Sequence, residues 1–258
     1  MNSSEYGNSR GNVFEFMLGI ILFTLIFTAA SFLVSVTLKN YINELTLQKN
    51  SEAVSAAVSL PTVIIDPGHG GEDGGCSSGD VIEKDLNLQI SEDLYDICTF
   101  MGVPAKMTRT EDTLLYDLYD DLDDYKGKKK TFDLKNRVRF ANEENGGIYV
   151  GIHMNKFPQS VYKGLQVYYS PNNDDSRVLA EKIQSYTKTY LQTDNERKVK
   201  KSTNAIYILS KLEMPSVLVE CGFLSNDSDV ANLADAGYQR SMALGIFASV
   251  AEFAASGK

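Results

Sequence analysis

Basic residues are in short supply in this sequence, and the shortage excludes one large class of function. The 258-residue chain has 25 Lys and Arg residues against 34 Asp and Glu residues, which gives a formal net charge of -9. A nucleic-acid-binding surface needs clustered positive charge, so this balance argues against DNA or RNA as a partner. Hydrophobic residues at 43% and charged residues at 23% match ordinary globular usage. The composition therefore favours one folded domain over disorder or many membrane spans.

Cysteine is also scarce. The three cysteines, Cys76, Cys98 and Cys221, lack the spacing of a zinc finger, and an odd number cannot pair completely within one chain. We interpret them as reduced thiols. A disulfide between two of them stays open, because it would suit an extracytoplasmic compartment equally well.

One long apolar run lies near the N-terminus. Residues 16–38 read FMLGIILFTLIFTAASFLVSVTL without a charge, about the length that a helix needs to cross the hydrocarbon core. We expect one transmembrane helix that acts as an uncleaved signal, although a signal peptide cleaved near Ala29-Ala30-Ser31 is the alternative. The expected organisation is a tail and membrane anchor over residues 1–40, a juxtamembrane stalk over residues 41–60, and a catalytic domain over residues 61–258.

Beyond residue 60, short runs rich in Val, Ile and Tyr alternate with amphipathic stretches. This alternation predicts an α/β fold, with a mostly parallel twisted sheet of about six strands flanked by helices. Apolar residues spaced three and four apart, such as Leu86, Ile90 and Leu94, predict helices that pack one face on the sheet. The predicted strands are residues 62–66, 104–108, 148–152, 165–169, 206–209 and 217–220, and the last predicted helix covers residues 238–253.

The chain contains only two histidines, and both follow apolar strands. His69 lies in IIDPGHGGEDGG, and His153 lies in IYVGIHMNK. Functional groups of an open parallel sheet collect beyond the carboxyl ends of its strands, where both histidines are expected. One histidine in such a place could be structural, but two of them favour a metal site.

Carboxylates complete this expected site, because hydrolytic zinc sites combine histidines with a third protein ligand. Glu83 begins a predicted helix and can face the loop of His69, although acidic residues are common in first helical turns for dipole reasons alone. Glu220 closes the apolar strand SVLVE, where shielding should raise its pKa as a general base requires. Asp66 also ends a strand, and we expect it to orient a ligand imidazole or the glycine loop.

The residue types also limit the chemistry. No Ser, Cys or Thr nucleophile lies beside a spare histidine in the sequence, which disfavours covalent catalysis. A two-histidine, one-carboxylate zinc site with a nearby glutamate base is suited to amide hydrolysis by water.

Several ordered motifs carry a family resemblance. The segments IIDPGHGGEDGG, IEKDLNLQI, MTRTED, LKNRVRFAN, GIHMNK, GLQVYYS and VLVECGFLSN resemble the zinc-dependent N-acetylmuramoyl-L-alanine amidases of type 3. These enzymes cut the amide bond between the lactyl group of N-acetylmuramic acid and the L-alanine of a peptidoglycan stem peptide. The resemblance implies one Zn²⁺ held by His69, Glu83 and His153, with Glu220 as the catalytic glutamate.

Within that family, the anchor and the stretch IHMNKFPQSVYKGLQVYYS are most similar to the germination-specific amidases of the spore cortex. That likeness implies a part in muramic-δ-lactam formation, a catalytic domain between the forespore and mother-cell membranes, and, for some members, a lipoprotein activator. Arg109 and Arg137 match family positions as cleft or scaffold residues, and Asn155 as a hydrogen-bond partner near the metal. Met154 and Cys221 depart from the family pattern without replacing an implied ligand.

Two other functions stay open at this point. A zinc peptidase or carboxypeptidase that cuts within the stem peptide would use the same chemistry. A peptidoglycan-binding protein with little intrinsic activity, dependent on a partner, would carry the same motifs.

Overall fold

A computed structural model describes residues 60–119 and 127–256, together with three single helical residues, Met17, Thr28 and Thr37. The remainder of the expected anchor and stalk lies outside the described residues, so both stay predictions. Within the part of the chain that the structure describes, no helix is long and apolar enough to span a bilayer.

The predicted α/β sheet is confirmed. The strands are β1 (Val63–Pro67), β2 (Ser77–Ser78), β3 (Val81–Ile82), β4 (Ala105–Met107), β5 (Ile148–Asn155), β6 (Gln166–Tyr169), β7 (Lys200–Lys201) and β8 (Ser216–Phe223). Six of them form one sheet in the order β4-β1-β5-β8-β6-β7, and β2 pairs with β3 separately. Strands β4, β1, β5 and β8 are parallel, whereas β6 runs antiparallel to β8 and β7 runs parallel to β6.

Two strand predictions need correction. Residues 206–209 form turns and no strand. Their apolar side chains serve a different purpose, since Ile208 and Leu209 are buried in a core cluster with Tyr149. The sixth strand is instead the exposed pair Lys200–Lys201, which has no apolar signal. Strands β5 and β8 continue past their predicted ends to Asn155 and Phe223, so His153 and Glu220 lie within these strands and not at or beyond their ends.

Helices cover both faces of the sheet. They are α1 (Glu83–Phe100), α2 (Lys129–Asn142), α3 (Asp175–Tyr190), α4 (Asp227–Leu233) and α5 (Ala236–Ala255). Helices α1, α3 and α5 contribute to the larger core, in which the predicted stripe of Leu86, Ile90 and Leu94 is buried. Helix α2 covers the opposite face beside the smaller core. The last predicted helix lies within α5, where the Asp235 carboxylate accepts a hydrogen bond from the Tyr238 N–H at the helix start.

Candidate active site

A tight glycine-rich turn after β1 presents His69. The backbone of His69 is left-handed, with a φ of 63°, a conformation that residues with side chains rarely adopt. Paired 3.0 Å hydrogen bonds between the main chains of Gly70 and Asp73 close the turn. The Arg137 guanidinium donates to the His69 carbonyl at 2.7 Å. Fixed contacts on both sides therefore hold His69 in a strained conformation, as is common at functional sites.

His69, Glu83 and His153 converge on one point. The Nε2 of His69 and the Nδ1 of His153 each lie 3.1 Å from the same carboxylate oxygen, Oε1 of Glu83. One potential ligand atom from each residue lies within 4.8 Å of the other two. Two imidazoles and a carboxylate at such separations fit a zinc ion with a position left for water. The three residues singled out in the sequence are thus brought together.

Glu83 reaches this cluster because helix α1 begins at that residue. Its own N–H donates to the Cys76 carbonyl at 2.9 Å, which starts the helix without a capping side chain. The carboxylate accepts the N–H groups of Cys76 at 2.8 Å and Met154 at 3.1 Å. Burial acts to raise the pKa of Glu83, but hydrogen bonds from His153 and His69 outweigh it and lower the pKa. Glu83 is therefore held ionised, as a metal ligand must be.

The opposite edge of the His69 ring is also fixed. Its Nδ1 lies 3.0 Å from Asp73 Oδ2, and Lys130 Nζ lies 3.1 Å from the same oxygen. A carboxylate on one ring nitrogen directs the other nitrogen toward the cluster. Asp73 was missed in the sequence. The sequence shows only that Asp73 is an acidic residue shortly after His69, and the neighbouring Glu72 is as plausible a partner on that ground.

Glu220 lies next to His153 through the register of the sheet. Strands β5 and β8 pair His153 with Glu220, so both side chains project from the same face. The Oε2 atom of Glu220 is buried and has no hydrogen-bond partner among the described residues. Burial raises the pKa of Glu220 to about 7, with His153 opposing the rise and the charge of Glu83 adding to it. A carboxyl that changes charge near neutrality, with an unused oxygen beside the cluster, suits a general base.

The carboxylate of Asp66 is bound by residues other than the two histidines. It is fully buried, and its carboxylate accepts hydrogen bonds from Arg137, Thr108 and Tyr149. Arg137 in turn donates to the carbonyls of Pro67 and His69. Asp66 therefore acts on the glycine turn through Arg137, one of the two arrangements expected from the sequence.

Arg109 and Asn155 belong to the scaffold of the site by their contacts. Arg109 is buried, and its guanidinium donates to the main-chain oxygens of Pro67, Gly68, Lys84 and Glu111. These bonds join the glycine turn to the start of α1. The hydrogen bonds of Asn155 run through its main-chain oxygen, which accepts from the Leu224 N–H at 2.8 Å and from the Cys76 thiol.

The buried ion cluster around Arg137 leads to a stability prediction. Arg137→Met should lower the free energy of unfolding by about 3–5 kcal/mol, because Asp66 and Asp133 would be left buried without their cation. Lys135→Met on the exposed side of the same helix is the control, with an expected change within about 0.5 kcal/mol. Denaturant unfolding measures both. Equal losses for the two variants would contradict the structural importance of this cluster.

Comparisons with known proteins agree on one protein family for nearly all of the described domain. The family model for N-acetylmuramoyl-L-alanine amidase matches residues 63–252. The chain is 31% identical to the germination-specific N-acetylmuramoyl-L-alanine amidase of Bacillus subtilis, over 77% of this chain and 82% of that protein. It is 35% identical to an uncharacterised cell wall amidase of Bacillus anthracis, over 82% of this chain but only 38% of that longer protein.

Solved structures give the same result. The CwlD amidase from Clostridioides difficile, determined in complex with the GerS lipoprotein, superposes with a TM-score of 0.69 at 35% identity, over 76% of this chain and 99% of that one. The amidase AmiC2 of Nostoc punctiforme superposes with a TM-score of 0.63 at 31% identity, over 76% and 97% of the two chains.

Proposed function

The chain belongs to the N-acetylmuramoyl-L-alanine amidase family, and from this premise we propose a zinc-dependent amidase that releases stem peptides from peptidoglycan in the spore cortex. The observation that carries the zinc proposal is the convergence of His69, Glu83 and His153 within 4.8 Å of one another, beside the unpartnered oxygen of Glu220. His69 and His153 would hold one ion through nitrogen, and Glu83 through oxygen. When bound, zinc supplies a Lewis acid that polarises the amide carbonyl and acidifies the attacking water.

Glu220 moves the proton in this mechanism. Burial raises the pKa of Glu220 in the metal-free protein, and its buried Oε2 atom has no hydrogen-bond partner among the described residues that would compete with a proton. The ionised carboxylate takes the proton of the attacking water, and the resulting carboxylic acid delivers it to the leaving nitrogen of L-alanine. Asp73, by holding Nδ1 of His69, fixes the ring that faces the reaction centre. Neither step needs a protein nucleophile.

The role in the spore cortex is supported by the similarity to relatives. The Bacillus subtilis relative carries the name germination-specific, and that name is the reason to place this chain in cortex maturation. Removal of stem peptides from muramic acid would then precede closure of the muramic-δ-lactam ring. A lipoprotein activator is part of the same proposal, because the CwlD amidase from Clostridioides difficile was determined with the GerS lipoprotein.

The proposed location follows from the N-terminal sequence. The uncharged run of residues 16–38 would keep the protein at a membrane as an uncleaved anchor, followed by the stalk of residues 41–60. The catalytic domain of residues 61–258 would then lie outside the cytoplasm, in the space between the forespore and mother-cell membranes. Peptidoglycan is accessible only on that side of the membrane.

The products of digestion test the proposed reaction. The purified full-length protein, incubated with peptidoglycan and zinc, should release peptides that begin with L-alanine and leave muramic acid without a peptide. A chelator should stop the release, and added zinc should restore it. Mass spectrometry of the soluble fragments measures both effects. Fragments that keep L-alanine on muramic acid would instead indicate a peptidase, and binding without any cleavage would indicate a peptidoglycan-binding protein.

A further inference from the structure

A groove of about 590 Å³ opens on the β6 side of Glu220. Strands β8 and β6 pair Glu220 directly with Gln166, and Gln166 is one of the residues that line the groove. Because paired residues project from the same face, the row of His153, Glu220 and Gln166 runs from the metal-binding cluster into the groove. A substrate that reacts at Glu220 would therefore have this groove beside it.

Hydrogen bonds and aromatic rings fix the side chain of Arg197 in this groove. The Oε1 atom of Gln166 accepts hydrogen bonds from Nη2 of Arg197 at 2.7 Å and from Nε at 3.2 Å. The guanidinium carbon lies 4.5 Å from the ring centroid of Phe223 and 6.0 Å from that of Tyr162. Gln166 is itself buried, and its amide nitrogen donates to the Lys198 carbonyl. These contacts fix the position and the plane of the guanidinium.

The charge of Arg197 is left without an internal counter-ion. Across residues 60–119 and 127–256, no ion pair includes Arg197, whereas Lys163 in the same groove pairs with Asp194. Its neighbours are a neutral amide and two aromatic rings, and the side chain is only partly buried. A fixed planar guanidinium with unused donors matches the geometry of a carboxylate, which it can bind through two parallel hydrogen bonds.

The length of a stem peptide agrees with the position of Arg197 relative to Glu220. In a stem peptide, the first free carboxylate after the scissile amide is the α-carboxylate of the second residue, D-glutamate. Two extended residues span about 7 Å. Neighbouring strands lie about 4.8 Å apart, and Arg197 lies against Gln166, one strand away from Glu220. An extended peptide leaving Glu220 along the row would bring that carboxylate to Arg197.

We propose that Arg197 binds the α-carboxylate of the second stem-peptide residue and makes the enzyme select peptides in which that carboxylate is free over those in which it is amidated. Gln166 and Phe223 are positioning residues for Arg197. The proposal rests on the proposed amidase function, since it assigns the groove to the peptide side of the scissile bond.

Two synthetic muramoyl peptides that differ only at the second residue, D-glutamate or its α-amide, test the proposal on the zinc-loaded full-length protein. The wild type should have a kcat/KM about 10- to 100-fold higher for the free carboxylate, mainly through a lower KM. Arg197→Gln should bring the ratio of the two kcat/KM values close to one, and Arg197→Lys should give an intermediate ratio. Lys201→Gln removes the same charge from exposed β7 outside the groove and should keep the wild-type ratio.

Each outcome has a distinct meaning. No preference in the wild type would overturn the proposal, and so would an Arg197→Gln variant that loses activity equally on both substrates, which would mark Arg197 as structural. If Arg197→Gln fails to fold by circular dichroism, Arg197→Lys carries the comparison. Failure of the wild type to cleave either substrate would overturn the amidase function itself. The zinc content, measured on the same sample, distinguishes that result from a loss of the metal.

Discussion

Glu220→Gln should lower kcat by about 10³-fold while leaving the affinity for zinc close to that of the wild type. The substitution keeps the size of the side chain but removes its capacity to accept the proton of water. Zinc should stay bound because Glu220 is not one of the three residues whose ligand atoms converge. Steady-state kinetics on a muramoyl peptide and elemental analysis of the purified variant measure the two effects.

The stability of the same variant supplies its control. Glu220 has its pKa raised from the ordinary 4.5 to about 7 by burial, so the folded state binds its proton more tightly than the unfolded state. The resulting stability is present below about pH 4.5 and is lost as the pH rises to about 7, above which the charged group is buried. In the metal-free protein at pH 8, Glu220→Gln should therefore raise Tm by about 5 °C, with no gain at pH 4.5.

A lower Tm at pH 8 would contradict the burial of a charged Glu220, and a loss of activity in that case would be attributed to a folding defect. Retained activity would contradict it directly.

His153→Ala should abolish both zinc binding and turnover. The ring supplies one of only two imidazole ligands, and two remaining ligands are too few for a stable hydrolytic zinc site. Activity should fall to the level of the chelated wild type, and added zinc should not restore it. A variant that still binds zinc with wild-type affinity would show that the metal is held elsewhere.

A single methyl group in the glycine turn should also weaken zinc binding. A Cβ on Gly68 would lie 2.2 Å from Cε1 and 2.3 Å from Nε2 of His153, so Gly68→Ala must displace the imidazole. We expect at least about a 10- to 100-fold loss of zinc affinity, the range for substitutions that disturb the support of a ligand. Gly74→Ala in the same turn is the matched control, because its nearest neighbour, a methyl group of Ile82, is 3.5 Å away. Equal zinc affinities for the two variants would contradict this close packing against His153.

The sequence predicted the central residues because each has a signal of its own. His69 and His153 both come after apolar runs in a chain with only two histidines, and the carboxyl-terminal ends of parallel strands meet at one edge of a sheet. Glu220 follows the apolar run SVLV, which indicates shielding before any contact is known, although the strand continues past it to Phe223. Glu83 had the weakest local signal, and its assignment depended mainly on the family resemblance.

The supporting contacts could not be predicted, because they join residues far apart in the chain. Asp66 and Arg137 are 71 residues apart, and nothing around either one indicates the other. Residues 206–209 gave a false strand, since burial of Ile208 and Leu209 in a turn produces the same apolar pattern as a short strand. Edge strand β7 consists of two exposed lysines and had no signal at all.

Calorimetric titration of Zn²⁺ into the metal-free full-length protein tests the central claim most directly. The wild type and Glu220→Gln should each bind one ion per chain with similar affinity, and His153→Ala should bind none at the same site. Zinc binding that survives His153→Ala, or that disappears in Glu220→Gln, would contradict the assignment of His69, Glu83 and His153 as the ligands and Glu220 as the base.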